Sequence, residues 1–431
     1  MDVSELLDFQ PKKPVITTKR RLILTDEEKS RILQELEKSE EEPLDEATVR
    51  KMTTVLEKRI ARNQEMRIKY VDIPDKFMQS EIELNDSIQE FSAVATKPEL
   101  YSSLVEFGTL QLLINLVSHE NTDISVTVIK ILQELTDVEF ENESSICLID
   151  ALVDLQCLSN LILCLKRLNE SVKEEADGVH NILAAIENIC DLNPSLIETT
   201  AIEHNLMEWI LKRINAKRPY DENKLYACEI LSICVQESDR VKLYIANNLN
   251  AIEIILQELS RYKRSEPQSL DEIEYMENMF SCLCSLLLDT ETHHLFMMDE
   301  GMQLMNLMIR ERKLSRYGAL KTLYFVLNGI EASECCQKYV EILGLRVIFP
   351  LLMKPLKGNK DIGVTHTENE ERVIAIVHAL IRNCTGIERQ RVLLKFTEND
   401  HEKVERLVEL HQKYAMKVKL IDEEIANEVC K

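Results

Sequence analysis

The sequence predicts an all-α protein built as a right-handed α-solenoid with an N-terminal helical cap. Its 431 residues include only 9 Gly, 10 Pro and 5% aromatic side chains. A β-sandwich or an α/β enzyme needs more turn glycines and strand aromatics than that. From about Asp45 onward, apolar residues recur at three- and four-residue spacing almost without interruption. No proline falls between Pro98 and Pro194, as a string of helices requires.

Taken in order, residues 1–44 read as a flexible charged arm with one short helix. They hold Pro11, Pro14 and Pro43, a basic stretch (Lys12, Lys13, Lys19, Arg20, Arg21) and an acidic one (Glu40, Glu41, Glu42). Thr25 followed by Glu28 forms a capping box for a helix to about Lys38. Residues 45–103 read as the helical cap. One of its apolar stripes runs Val49, Met52, Val55, Leu56, Ile60, and another runs Phe77, Ile82, Leu84, Ile88, Phe91, Val94.

Residues 104–395 read as about six repeats. With Gly108, Cys157, Asn205, Asn250, Gly301 and Gly344 as anchors, successive spacings are 49, 48, 45, 51 and 43 residues. Four residues before each anchor the position is apolar (Leu104, Val153, Ala201, Ala246, Met297, Val340), and four after it is apolar again (Leu112, Leu161, Trp209, Ile254, Met305, Ile348). The anchor is a small or left-handed-tolerant residue that ends a short helix before a longer one. This period, with two or three helices per unit, is the armadillo/HEAT signature, here slightly long. Residues 396–431 read as a truncated C-terminal helix. It is capped by Asn399 with Glu402, and its apolar positions are Val404, Leu407, Tyr414, Val418, Ile421 and Ile425.

Charge narrows the function. With 52 Lys+Arg against 75 Asp+Glu the net charge is −23, which repels phosphate backbones and favours basic partners over direct nucleic-acid binding. No apolar run reaches the roughly 18 residues of a membrane span. Met1–Gln10 is short and acidic, unlike a secretory leader. The 12 cysteines, among them Cys157, Cys164, Cys190, Cys228, Cys234, Cys282 and Cys284, therefore read as reduced core thiols. The sequons at Asn142, Asn169 and Asn383 read as chance matches, and the compartment as cytosol or nucleus.

Catalytic motifs are missing from the sequence. It has no glycine-rich phosphate loop, no G-x-S-x-G elbow and no H-E-x-x-H. His293 and His294 are adjacent, so on a helix they diverge. Cys282-x-Cys284 and the vicinal Cys335–Cys336 lack zinc-ligand spacing. The reading is a non-enzyme with no cofactor and no metal.

Binding residues are expected on the last helix of each repeat, opposite its apolar face. In the second repeat that stripe is Glu174, Asp177, Asn181, Asn188 and Asp191. Glu134 and Asp137 belong to it in the first repeat, Tyr226 and Glu229 in the third, and Asn278 in the fourth. Further on it becomes mixed: Lys321, Tyr324, Asn328, then Glu371, His378 and Arg382. The bland account of such a stripe is a solvated helix face. Micromolar binding needs about 8 kcal/mol, while an exposed ion pair contributes about 0.2–1 kcal/mol. Asparagines on a peptide backbone and a tyrosine under a basic stem would have to supply the remainder. Trp209 sits at an apolar repeat position and reads as core.

Several strings resemble the beta-catenin-like family of nuclear armadillo proteins. They are Glu42–Glu46, Asp75–Met78, Leu132–Asp137, Leu148–Asp154, Glu170–Asn181, Gln303–Met308, Ile342–Arg346 and Lys395–Asp400, within a match from about residue 42 to 415. The resemblance implies a nuclear protein of the pre-mRNA splicing machinery, associated with the nineteen complex. It further implies binding to nuclear-localisation-type basic segments of splicing factors, including a Myb-like component of that complex, and of activation-induced deaminase. Self-association as a homodimer is implied too. The family's basic N-terminal cluster is denser than Lys12–Arg21, and its chain continues with further helices past the point matching Lys431. Two functions remain in view at this stage, a splicing scaffold and a karyopherin-like carrier of basic cargo.

Overall fold

In the computed structural model, residues 44–138, 143–329 and 332–429 are described, and all regular structure among them is helical. The expected helix between Thr25 and Lys38 and the basic stretch Lys12–Arg21 lie outside these residues. Helix α1 (Glu46–Lys69) starts where Asp45 accepts a hydrogen bond from the Thr48 amide at 2.8 Å. It packs on α2 (Met78–Gln89), which is followed by the single turn α3 (Ser92–Ala95). Leu56, Leu84, Ile88, Phe91 and Val94 are fully buried here, whereas Val55 and Ile82 from the expected stripes face solvent.

Six helical units follow. They are α4 (Tyr101–Glu106), α5 (Thr109–Leu116) and α6 (Thr122–Thr136); then α7 (Glu143–Asp154), α8 (Cys157–Leu165) and α9 (Lys173–Leu192). In the third unit a π-helical turn, Thr199–Glu203, replaces the first α-helix before α10 (Leu206–Asn215) and α11 (Glu222–Glu237). The fourth has α12 (Asp239–Asn248), α13 (Ala251–Leu259) and α14 (Leu270–Leu286). The fifth has α15 (His293–Met298), α16 (Gly301–Glu311) and α17 (Arg316–Leu327). The sixth has α18 (Ser333–Glu341), α19 (Leu345–Met353) and α20 (His366–Asn383), ahead of α21 (Gly386–Thr397) and α22 (Glu402–Val429). The third helices stack in series, α6 on α9, α9 on α11, α11 on α14, α14 on α17 and α17 on α20. Each unit buries its apolar face only against its neighbours, which is the logic of an α-solenoid.

The turn between the first two helices of each unit corrects the sequence-derived anchors. The left-handed residue is Gly108, Gln156, Asn205, Asn250, Glu300 and Leu343. Cys157, Gly301 and Gly344 each follow the left-handed residue by one position. Gly301 and Gly344 serve another purpose. A Cβ on Gly301 would lie 2.2 Å from the Phe296 ring, and one on Gly344 would lie 2.5 Å from the Tyr339 ring. These glycines let a large buried aromatic of the first helix fit under the second.

The C-terminal helix also departs from its expected seam. Leu410 is buried and Leu407 and Tyr414 pack on the core, but Val404, Val418, Ile421 and Ile425 are exposed. Polar contacts fix the docked half: the buried carboxylate of Glu370 on α20 accepts from Arg406 Nη2 at 2.9 Å, from Tyr414 Oη at 3.0 Å and from Lys413. Ahead of this helix Asn399 takes a left-handed φ of 51°, and its side-chain amide donates to the Glu402 carboxylate at 2.7 Å.

The described cysteines are all free thiols, and all except Cys147 are buried. Burial pushes Cys157 up to about 12 and Cys335 up to about 11, so these thiols are inert. His293 is buried with Nε2 2.9 Å from the Leu287 carbonyl, while His294 lies on the exposed side. Among the described residues, no group of three or more His, Cys, Asp or Glu is arranged to hold a metal, and no single helix is long and apolar enough to cross a membrane.

Candidate functional site

Two cavities lie side by side between α9 and α11. The first, about 480 Å³, is lined by Glu170, Ala176, Asp177, His180, Asn181, Asp221, Glu222 and Asn223. The second, about 500 Å³, is lined by His180, Glu187, Tyr220, Glu222, Leu225, Tyr226, Glu229 and Asp271. His180 and Glu222 border both, so the two form one continuous acidic trough.

Its walls are built from the helix starts. Asp221 caps α11, accepting from the Lys224 amide at 2.9 Å. Arg213, nearly fully buried, reaches Glu170 through Nε at 2.7 Å and Asp221 through Nη2 at 2.7 Å. Asn223 donates to the Ala176 carbonyl at 3.0 Å, tying α11 to α9. These contacts hold one rim rigid. On the other side, Tyr226 donates to Glu187 at 2.5 Å and its ring lies 4.9 Å from that of His180.

The negative charge in the trough is largely uncompensated. Among the described residues Asp177, Glu187, Glu222, Glu229 and Asp271 make no ion pair; Glu187's partner is the Tyr226 hydroxyl. Burial, with Glu274 and Glu187 nearby, raises the Glu229 carboxyl above its ordinary value. Burial together with Asp271 and Glu272 pushes the Tyr220 phenol up to about 12. Burial is the larger cause of both shifts, and the neighbouring carboxylates add to it in the same direction.

The sequence-predicted residues divide into three groups. Asp177, Asn181, Tyr226 and Glu229 line the trough. Glu174 and Asp191 are exposed on α9, one at each end. Glu134, Asp137, Asn188 and Asn278 are not among the lining residues. Glu134 accepts from Ser92 at 2.6 Å and faces Lys130 at 3.7 Å; Asn188 bridges to Thr136 at 3.3 Å. Asp137 is exposed at the end of α6, and Asn278 is half-buried on α14.

Sequence reasoning missed His180, Glu187, Tyr220, Asp221, Asn223, Glu170 and Asp271. His180 stands three residues after Asp177 and Glu187 four before Asp191, so the 3–4 spacing of that helix face already contains both. Glu170, Tyr220 and Asp221 precede their helices, where periodicity says nothing. Further along, Glu277, Lys321 and Arg372 stand on three successive third helices. Among the described residues a Glu277 oxygen and the Arg372 Nη1 are buried with no hydrogen-bond partner, and burial raises the Glu277 carboxyl despite the pull of both cations.

Comparison with known proteins places this architecture. The family described as catenin-beta-like, Arm-motif containing nuclear, matches residues 27–431. The chain belongs to this family. It is 49% identical over 389 residues to beta-catenin-like protein 1 of Homo sapiens and of Bos taurus, covering 90% of this chain and 69% of each relative. It is 34% identical over 392 residues to the beta-catenin-like protein 1 homolog of Schizosaccharomyces pombe, covering 90% and 68%. Among solved structures, an engineered protein aligns with a TM-score of 0.44 at 14% identity, over 64% of this chain and 98% of that one. A structure concerning a phosphorylation switch between cadherin and beta-catenin aligns with a TM-score of 0.43 at 10% identity, over 73% and 60%.

Proposed function

We propose that this beta-catenin-like chain is a non-enzymatic nuclear scaffold of the pre-mRNA splicing machinery, binding basic nuclear-localisation-type segments of partner proteins in its third-helix groove. The observation that carries the binding reading is the α9–α11 trough, where carboxylates without ion-pair partners stand beside tyrosine and histidine rings. A Lys or Arg side chain laid there would exchange water for fixed carboxylates while its stem covers a ring. The nuclear reading is supported by the family's description as nuclear. The splicing role, and as partners the Myb-like component of the nineteen complex and activation-induced deaminase, rest on the family resemblance.

The test is fluorescence anisotropy of a labelled Lys/Arg-rich nuclear-localisation peptide titrated with the chain at about 0.05 M and about 0.5 M salt. Binding is expected to weaken at high salt. It is expected to fall at least about a hundredfold, roughly 2.7 kcal/mol, when Glu174→Lys, Asp177→Lys and Glu222→Lys are combined. All three positions are exposed, so the fold should tolerate the change. Equal affinity for the variant and the parent chain would falsify the groove as the binding site.

Acid should also weaken binding. Because the folded-state Glu229 carboxyl titrates above its usual 4.5, it gains a proton, and loses its attraction for a cation, at a higher pH than an ordinary glutamate. Affinity is therefore expected to decline as pH falls before ordinary carboxylates titrate. Glu229→Gln should flatten that early part of the profile, measured with the same peptide.

A further inference from the structure

The second cavity carries more information than its charge. Its carboxylates come from three helices: Glu187 from α9, Glu222 and Glu229 from α11, and Asp271 from α14. A compact ammonium presents one charge and three donors, and cannot face all of them together. A guanidinium is planar, offers five donors in a fixed fork and stacks on aromatic faces. The rings are present: Tyr226 and His180 meet at 4.9 Å and 53°, and Tyr220 forms another part of the wall. Independently of the acids, the Tyr220 hydroxyl is buried with no hydrogen-bond partner among the described residues. A buried polar atom of this kind is completed by a water or by a polar group of a bound segment.

Building on the basic-segment reading above, we infer that this cavity is an arginine pocket: it takes the guanidinium of a bound segment against the Tyr226 and His180 rings, with its donors directed to Glu187, Glu229 and Asp271. The trough thereby discriminates between basic segments of equal charge. An arginine-rich segment is retained over a lysine-rich one. The adjoining cavity around Asp177 and Glu222 has no tyrosine in its wall and accepts either cation.

The probes that separate this from plain charge attraction are hexa-arginine and hexa-lysine, equal in length and charge, with hexa-citrulline as the neutral isostere. Each is end-labelled and titrated against the whole chain by fluorescence anisotropy. Hexa-arginine is expected to bind roughly five- to tenfold more tightly than hexa-lysine, the size of one cation–ring contact. Hexa-citrulline is expected not to bind. In Tyr226→Ala the ratio should fall close to one, chiefly through weaker hexa-arginine binding. Tyr226→Phe keeps the ring and should keep most of the ratio. It also serves as the folded control, with circular dichroism confirming that both variants stay helical. Equal affinity for the two cationic peptides overturns the arginine pocket while leaving the basic-segment reading intact. So does a preference that survives Tyr226→Ala. Failure of both cationic peptides to bind overturns the two readings together.

Discussion

Glu258→Ala is expected to destabilise the chain by about 3–5 kcal/mol, far more than the same change at an acid exposed on the surface. Lys224 and Glu258 form an ion pair at 2.7 Å with side chains 1% and 4% exposed. Tyr275 donates to the same carboxylate at 3.3 Å, and Arg261 approaches its other oxygen at 3.3 Å. These residues join α11 of the third unit to α13 and α14 of the fourth, so the pair sits at a seam between repeats. Removing the acid strands an ammonium in a site already hostile to it, since burial lowers the Lys224 pKa while Glu258 raises it back. The double change Lys224→Met with Glu258→Leu removes both charges and is expected to recover most of the loss, as hydrophobic replacement of a buried pair often does.

Two further readouts distinguish that mechanism from simple loss of packing. In a repeat array, stability is a sum of unit and nearest-neighbour terms, so weakening one seam should broaden or split the urea transition followed by circular dichroism. The pH dependence has a definite sign. Without Glu258 the folded state holds Lys224 with a pKa further below its unfolded value. The unfolded chain then binds more protons over that interval, and the variant's stability should rise with pH toward the lysine range. A variant whose midpoint equals the parent's, or whose deficit does not depend on pH, would show that the pair contributes little.

The helical architecture was legible because it rests on periodicity. The buried positions of α6, α9 and α14 follow the 3–4 spacing of Ile131 and Leu135, Ile182 and Ile186, or Met276 and Phe280. The groove was legible in outline for the same reason: polar residues opposite the buried stripe have to face outward. Its detail was not. Whether a stripe residue lines a cavity or bridges to the next helix depends on the neighbouring unit, and Glu134 and Asn188 turn out to be bridges. Glu170 and Asp221 join the trough through Arg213, a buried arginine on a helix whose own pattern reads as core. The C-terminal seam differs from its periodicity because half of the apolar stripe on α22 has no described neighbour to bury it.

The misplaced anchors follow from the same distinction between pattern and packing, and they lead to the second large effect. Glycine is favoured both at a left-handed turn and beneath an aromatic ring, and sequence spacing alone does not separate these uses. Of the three glycine anchors, Gly108 is the left-handed residue and Gly301 and Gly344 are the packing kind. Aligned on the true turn, the buried pair that flanks it is Leu104 and Thr109, Leu152 and Cys157, Ala201 and Leu206, Ala246 and Ala251, Phe296 and Gly301, and Tyr339 and Gly344. A large first member accompanies a glycine, and the largest second member, Leu206, accompanies an alanine. The two positions therefore share one volume. Phe296→Ala alone should leave a cavity and cost about 3–5 kcal/mol. Gly301→Leu alone drives its side chain into the Phe296 ring, a clash that already begins at the Cβ, and should cost about 1–3 kcal/mol or more. Combined, they rebuild the Ala201–Leu206 pair of the third unit inside the fifth. The double variant is expected to be at least about 2 kcal/mol more stable than the sum of the single losses. Denaturant midpoints of the four proteins give that coupling directly; strictly additive losses would mean that the two positions do not share a volume.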